Sequence, residues 1–275
     1  MQYFLGIDIG TYESKGVLTD KEGDVIASAT HPHKMLVPEP GWAEHRPEED
    51  WWNDFVKITK KILKASKINP DDISCIATSA IGPCMLPVSY EGDPLMNAVL
   101  YGVDTRAEKE IRELNEELGE EKILQNCGNA LTSQSVGPKI LWLKKNCPEI
   151  YKKAHKILSS TSYLVQKLTG ESVIDHYTAA NFTPLYDIKN LKWTDALTKN
   201  IIEIERLPKL KWTTEIAGYV SKAASNETGL ATGTPVTVGT IDAAAEAISV
   251  GVCSAGDMMM MYGSTTVSYT HLTLP

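Results

Sequence analysis

A carboxylate, Asp8, interrupts the first hydrophobic run of the chain, FLGIDIGTYESKGVLTD (residues 4–20). The alternation of apolar residues predicts a strand over Tyr3–Ile9 with one face buried. A charge inside a core is costly unless it is paired, solvated or bound to a metal. We therefore interpret Asp8 as a group that either stabilises a turn or serves a ligand.

The residues after Asp8 favour a phosphate ligand. Gly10 lets the backbone approach a ligand closely, and N–H groups exposed in such a turn bind phosphate oxygens. Thr11 adds a hydroxyl and Lys15 a cation, while Asp8 would hold Mg²⁺ through waters, as hard oxygen ligands do. The alternative is a β-hairpin whose turn Asp8 stabilises, and the local pattern alone leaves both open.

A second acidic residue lies at a predicted strand-to-helix junction, in GTPVTVGTIDAAAEA (residues 233–247). A strand ends at Gly239, and Asp242 stands where a helix of small residues begins. Ligands gather at the carboxyl ends of strands in open α/β sheets, so Asp242 is a candidate proton acceptor. Taken alone, it is more simply a first-turn carboxylate that favours the helix dipole.

The segment MMMMYGSTT (residues 258–266) repeats the pattern of a strand that feeds a polar turn. Gly263, Ser264 and Thr265 form that turn. The segment is a candidate second phosphate-binding loop because it follows Asp242 closely in the chain.

Composition excludes several classes of partner. The net charge is −8 and no basic block is present, which argues against nucleic acid and anionic membranes. The five cysteines form no C-x-x-C pair, which predicts reduced thiols and a cytoplasmic location. The sequence has no Gly-Lys dipeptide for a Walker A loop and no G-x-G-x-x-G motif.

The order of predicted elements is typical of an α/β protein with a mixed sheet. Three short strands begin the chain, and helices and strands then alternate. Pro47 opens a predicted helix that runs to about Ser66 and carries one apolar face suited to covering a sheet. The small residues of a predicted helix over Ala243–Val250 indicate tight packing.

The order D-x-G-T, G-x-x-D-A-A-A and Y-G-S-T resembles that of the FGGY carbohydrate kinases, members of the actin-like, ribonuclease H-like ATPase superfamily. Other similar segments are PGWAEHRPEEDWW (40–52), LYGVDTRA (100–107), VGPKILWLKKNCPEIYKKAHKILSSTSYLVQKLTG (136–170), IAGYVS (216–221) and TGLATGTPV (228–236). The resemblance covers about residues 3 to 266. It implies an actin-like α/β domain with a mixed sheet and helices on both faces.

The resemblance also implies a chemistry: transfer of the γ-phosphoryl group of MgATP to a hydroxyl of a pentulose, polyol or aldonate. Asp242 matches the general base of the family, and Asp8 matches the aspartate linked to Mg²⁺, so both are implied near the metal. The implied cofactors are ATP and Mg²⁺, and the resemblance allows a homodimer of the full-length protein. The residues implied to hold the nucleotide phosphates are Gly10, Thr11, Lys15, Gly263, Ser264 and Thr265.

The resemblance places the sugar beside two further segments. Asp104 and Arg106 match the W-N-D-x-R segment, and Tyr101 would line the pocket. For Arg106 the alternative is an ion pair with Asp104 or a role at the start of a helix. Ile81, Gly82 and Pro83 replace the G-Q-M-H-G of many xylulose kinases and lack its hydrogen-bonding side chains, so the substrate stays open.

The resemblance divides the chain into a sugar-side domain (1–254), the start of an ATP-binding domain (255–266) and a tail without a family counterpart (267–275). The tail resembles translated vector sequence. The resemblance implies a second domain of comparable size that binds adenine and closes the cleft, so we expect little kinase activity and some self-association from this chain alone. A non-catalytic sugar-binding or regulatory module with the same fold is the alternative.

The histidines give no sugar ligand in this interpretation. His31, His33 and His155 are expected at the surface or in loops. His45 is left open between a buried and an exposed position.

Overall fold

The computed structural model describes residues 2–252, 254, 256–262 and 266–270. The strands are β1 Tyr3–Ile9, β2 Glu13–Asp20, β3 Val25–Pro32, β4 Glu44–His45, β5 Ile73–Ala80, β6 Leu86–Val88, β7 Ala98–Val99, β8 Lys156–Leu158, β9 Val173–Asp175, β10 Tyr186–Asp187, β11 Lys192–Trp193, β12 Lys209–Lys211, β13 Ile216–Tyr219, β14 Pro235–Thr237, β15 Thr240–Ile241, β16 Met258–Tyr262 and β17 Thr266–Thr270.

The α-helices are α1 Asn53–Ser66, α2 Glu108–Leu118, α3 Glu120–Cys127, α4 Val136–Asn146, α5 Pro148–Lys153, α6 Ser160–Thr169, α7 His176–Ala180, α8 Lys222–Thr228 and α9 Asp242–Ser249. A π-helical segment, Pro47–Trp52, leads directly into α1. Short 3₁₀ helices cover Pro70–Asp72 and Ile204–Arg206.

A seven-stranded mixed sheet forms the centre of the fold, in the order β13-β14-β5-β1-β2-β3, with β15 also paired to β5. Strand β5 runs parallel to β1, β14 and β15, whereas β2, β3 and β13 pair antiparallel with their neighbours. The predicted mixed α/β sheet is therefore confirmed. Since β1, β5 and β15 point the same way, their carboxyl ends lie at one edge.

The apolar face of the sheet is covered mainly by α1 and α6. Leu5, Ile7 and Ile9 alternate along β1 and are buried in one core with residues of both helices. The predicted amphipathic helix is confirmed, since Trp51 and Phe55 of its apolar row are fully buried. These side chains pack in the core and form no exposed binding platform.

A second core lies around α2 to α5, where Ile140 and Leu143 of α4 are fully buried. Strand β7 is short, because only Ala98–Val99 pairs, with β4.

The expectation of tight packing around the small-residue helix is wrong for the described residues. Helix α9 forms, but none of its residues is fully buried. Ile248 is 59% and Val250, just beyond the helix, is 63% exposed. Among the described residues, no helix combines the length and apolar character needed to cross a membrane.

Candidate active site

Three parallel strands bring the two acidic residues of the sequence motifs to one edge of the sheet. Asp8 of β1 lies opposite Ser79 of β5, and Ser79 lies opposite Thr240 of β15. The Ser79 hydroxyl donates a hydrogen bond to Asp8 Oδ1 at 2.5 Å. Asp242 begins α9 directly after β15, so it lies at the same edge.

Asp242 is in an unfavourable setting for an ionised carboxyl group. Burial raises its pKa to about 7, and the charges of Asp8 and Glu246 act in the same direction, against a 2.7 Å hydrogen bond from the Ala243 N–H. Burial and Asp8 also raise the pKa of Glu246, while Lys15 lowers it. Lys15 stands opposite Asp8 in the β1–β2 register. The structure therefore brings Asp8, Lys15 and Asp242 together.

The carboxylates fit a magnesium ion that arrives with a nucleotide better than a resident metal centre. Among the residues that the structure describes, no group of three or more His, Cys, Asp or Glu side chains could hold a metal ion. Mg²⁺ usually keeps several waters and binds through one or two carboxylates together with substrate phosphates. Asp8 and Asp242 supply such a pair, and a cation would offset their mutual repulsion.

The turn between β1 and β2 is closed tightly at Gly10. Its N–H donates to the carbonyl of Glu13 at 3.0 Å, and a Cβ at this position would stand 2.8 Å from that oxygen. The hydroxyl of the next residue, Thr11, lies 3.2 Å from the Tyr101 hydroxyl. Residues of the predicted phosphate loop and of the predicted sugar side therefore meet.

Two histidines that the sequence did not assign to the site hold this turn from beneath. His33 Nε2 lies 3.0 Å from the Gly10 carbonyl oxygen, and His45 Nε2 lies 3.1 Å from that of Thr11. His45 is fully buried. His33 lies in the loop directly after β3, as expected, but its side chain is only 3% exposed and does not lie at the surface. The pairing of β2 with β3 was the available signal, because it carries residue 33 back to the turn.

The Ile81–Pro83 segment, directly after β5, packs against β15, the strand that leads to Asp242. The Ile81 N–H donates to the Ile9 carbonyl at 2.8 Å, and the Ile81 side chain is buried. A Cβ at Gly82 would stand 2.3 Å from Ile241 Cγ2. Pro83 follows through a cis peptide bond and is buried. Ile81, Gly82 and Pro83 have no polar side chain, so this segment can contact a ligand only through its backbone.

Tyr101 stands between the turn and Asp242. Burial raises the pKa of its hydroxyl and the charge of Asp242 adds to this, while the contact with Thr11 opposes it. The fully buried Lys139 supports Tyr101 by donating to the carbonyls of Leu100 at 2.5 Å and Tyr101 at 2.8 Å. Burial lowers the pKa of Lys139 to about 8. Its position on the apolar side of a helix was the sequence signal.

Asp104 and Arg106 form an internal ion pair, which was the alternative to a position beside the sugar. Both side chains are completely buried, and Arg106 Nη2 contacts Asp104 Oδ2 at 2.8 Å and Glu44 Oε1 at 2.9 Å. The guanidinium carbon lies 4.0 Å from the ring centroid of Trp42 and 5.0 Å from that of Trp142. The ion pair bears out the alternative stated for Arg106, and a place for Asp104 and Arg106 beside the sugar stays a prediction.

The proposed second phosphate loop, Gly263, Ser264 and Thr265, lies outside the described residues. The strands on either side are described and pair as an antiparallel hairpin, with Tyr262 opposite Thr266.

Strand β15, which leads to Asp242, is held by hydrogen bonds to neighbouring elements. Thr161 donates to the Thr240 carbonyl at 2.8 Å, and the Thr240 hydroxyl donates to the buried Asp175 at 2.8 Å. Gly239 precedes this strand with φ +70°, and a Cβ there would stand 2.2 Å from the Thr78 carbonyl oxygen.

Gly239→Ala is expected to destabilise the chain by about 2 to 3 kcal/mol, from left-handed backbone strain plus overpacking. Gly233→Ala is the matched control, because Gly233 has φ +89° but no atom near its added Cβ. The control should lose only about 1 kcal/mol. Urea unfolding measures both, and equal losses would contradict the steric argument.

Comparison with known proteins identifies the family of this chain. Residues 3–249 match the sequence model described as the FGGY family of carbohydrate kinases, N-terminal domain. The chain belongs to the FGGY family of carbohydrate kinases. A solved xylulose kinase from Rhodospirillum rubrum superposes on this FGGY chain with a TM-score of 0.89 at 27% identity, over 95% of this chain and 53% of that one.

Curated relatives in the FGGY family differ in the substrates that their names give. A glycerol kinase from Thermococcus gammatolerans is 32% identical over 80% of this chain and 45% of its own length. A xylulose kinase from Staphylococcus xylosus is 28% identical over 98% of this chain and 55% of its own length. The chain thus spans about half the length of these relatives.

Proposed function

We propose that this chain is the sugar-side part of a kinase that transfers the γ-phosphoryl group of MgATP to a hydroxyl of a sugar or polyol. The observation that supports it most is the position of Asp242. This carboxyl group lies near Asp8 and has a pKa raised to about 7. A general base works best when its pKa is near the operating pH.

In the proposed reaction, Asp242 accepts the proton of the attacking hydroxyl and orients its oxygen in line with the phosphoryl group. The transition state of phosphoryl transfer is loose and highly charged, so alignment and charge stabilisation dominate catalysis. Because β15 is held by Thr161 and Asp175, the backbone that leads to Asp242 is held in place before substrate arrives.

In this proposal the Gly10–Thr11 turn binds phosphate oxygens through the N–H and hydroxyl of Thr11, because the Gly10 N–H already donates to the Glu13 carbonyl, and Lys15 adds a positive charge. Asp8 and Asp242 would hold Mg²⁺ through waters. When bound, Mg²⁺ neutralises charge on the phosphate oxygens. We extend the proposal to Gly263, Ser264 and Thr265 as the second phosphate loop.

A pentulose, polyol or aldonate is the proposed substrate class. Tyr101 is half-buried and carries a hydroxyl near Asp242, which supports a place beside a polyhydroxylated ligand. In the Ile81–Pro83 segment the Ile81 N–H donates to the Ile9 carbonyl, the Ile81 carbonyl accepts from Ser160 and Pro83 has no N–H, so the backbone of Gly82 is the proposed ligand contact.

The proposal also includes the arrangement and location of the protein. Residues 1–254 form the sugar-side domain and residues 255–266 begin the nucleotide-binding part. The four cysteines among the described residues, Cys75, Cys84, Cys127 and Cys147, are free thiols, which supports a cytoplasmic location.

The test is incubation with MgATP and a panel of pentuloses, polyols and aldonates, with mass spectrometry of the sugar products. Calorimetry on the same panel measures binding separately from transfer. We expect one class to bind and to gain a phosphoryl group when the protein carries the length of its relatives. A sugar that binds in the presence of bound MgATP without any transfer would contradict the proposal and favour the binding-module alternative.

A further inference from the structure

A cluster of ionisable side chains lies beneath the Gly10–Thr11 turn. At its centre is Asp54 of α1, a fully buried carboxylate. Three nitrogen groups surround Asp54: His33 Nδ1 at 2.9 Å, His31 Nδ1 at 3.0 Å and Lys57 Nζ at 3.9 Å. The Ser14 hydroxyl also donates to Asp54, at 2.9 Å.

His33 has a hydrogen-bond acceptor at each ring nitrogen. Nε2 faces the Gly10 carbonyl at 3.0 Å, and Nδ1 faces Asp54 Oδ2 at 2.9 Å. The Ser14 oxygen is also 3.4 Å from Nδ1, but its single proton points to Asp54. A neutral imidazole carries one N–H and one lone pair, so it would leave a lone pair against one of these oxygens.

We propose that His33 is held as an imidazolium beneath the turn, where it is a positioning residue: it fixes the Gly10 carbonyl and so aims the N–H of the same peptide, that of Thr11, at phosphate. Both ring nitrogens then donate, and the charge is paired with Asp54. A charge-assisted hydrogen bond is shorter and stronger than a neutral one, which suits a residue that holds a loop. The positioning of phosphate rests on the proposed function, whereas the protonation state does not.

The neighbouring ring of His45 has the opposite state. Its Nε2 donates to Thr11 and its Nδ1 accepts the indole N–H of Trp51 at 2.9 Å, which is the pattern of a neutral ring. The His33 and His45 rings stand 4.9 Å apart, edge to face. Burial, followed by the nearby charge of His33, lowers the pKa of His45 to about 4. One charged and one neutral imidazole therefore support adjacent carbonyls.

Nitrogen NMR of the histidine rings tests the protonation state in this 275-residue chain. The His33 resonances are identified as those that disappear in His33→Gln. We expect both ring nitrogens of His33 to carry protons at pH 7, and His45 to carry one. A singly protonated His33 overturns the inference.

Two matched variants separate the bonds that His33 makes. The amide of glutamine reaches about as far as Nε2, so His33→Gln keeps a donor to Gly10 and loses the charge. Asparagine reaches only about as far as Nδ1, so His33→Asn keeps a donor to Asp54 and loses the bond to Gly10. Thermal unfolding of both variants first establishes that each is folded.

The probe is inorganic phosphate, and its binding is followed by the amide shift of Thr11. We expect affinity to fall about tenfold in His33→Asn, the loss of one charge-assisted hydrogen bond, and about threefold or less in His33→Gln. Equal losses, or none, overturn the positioning role. If the amide shift of the wild-type turn does not change when phosphate is added, the proposed function and the positioning role are contradicted. The doubly protonated state of His33 would still stand, because the ring spectra test it separately.

Discussion

Replacing Asp242 by asparagine is expected to reduce turnover by about 10²- to 10⁴-fold, the usual contribution of a general base. Asparagine keeps the size of the side chain and its acceptor for the Ala243 N–H, but it cannot take a proton. Sugar affinity should therefore change by less than about threefold, since the loss concerns the transition state. The measurements are kcat with MgATP and sugar binding by calorimetry. Both use a protein that has the full length of its relatives.

The same Asp242→Asn substitution is expected to stabilise the fold at pH 8. The carboxyl group has a pKa near 7 when folded, above the ordinary value of 3.8. Between about pH 4 and pH 7 the folded chain therefore binds more protons than the unfolded chain, and its stability falls as the pH rises. Asparagine is free of this loss, so we expect a gain of about 2 to 4 kcal/mol at pH 8 and none below pH 4.

Urea unfolding of the 275-residue chain at the two pH values measures this effect. Glu117→Gln is the control, because Glu117 is an exposed acid on α2 that should give little change at either pH. Asp8→Asn removes one source of repulsion, so the gain from Asp242→Asn should shrink in that background. A stability loss at pH 8 for Asp242→Asn would contradict the description of the site.

Many residues of the candidate site could be predicted from sequence because short local motifs mark them. A carboxylate in an apolar run, followed by Gly10 and Thr11, indicated a strand that ends at a site. The strand-to-helix junction at Asp242 gave the same signal. The two residues converge because β1 and β15 both run parallel to β5, and this pairing is what turned separate local signals into one edge.

The supporting residues were harder to predict because their roles depend on contacts distant in sequence. His33 contacts Gly10, 23 positions earlier, and Lys139 contacts Leu100, 39 positions earlier. For His33 no local pattern separates a buried donor from a surface charge, and for Lys139 the local signal is only its place on the apolar side of α4. The tight packing predicted for α9 failed for a related reason, because small residues indicate that a neighbour fits but not that it is present.

Arg106→Ala is expected to destabilise the chain by about 3 to 5 kcal/mol, because it leaves Asp104 and Glu44 as buried charges without a partner. Arg106→Lys should lose less but still measurably, since an ammonium group cannot replace a planar fork between two carboxylates. Lys152→Ala is the control, because Lys152 pairs with Glu149 at the surface and should lose less than about 1 kcal/mol. Urea unfolding measures all three. If Arg106→Lys instead weakened sugar binding with unchanged stability, Arg106 would be a substrate ligand and the burial argument would be wrong.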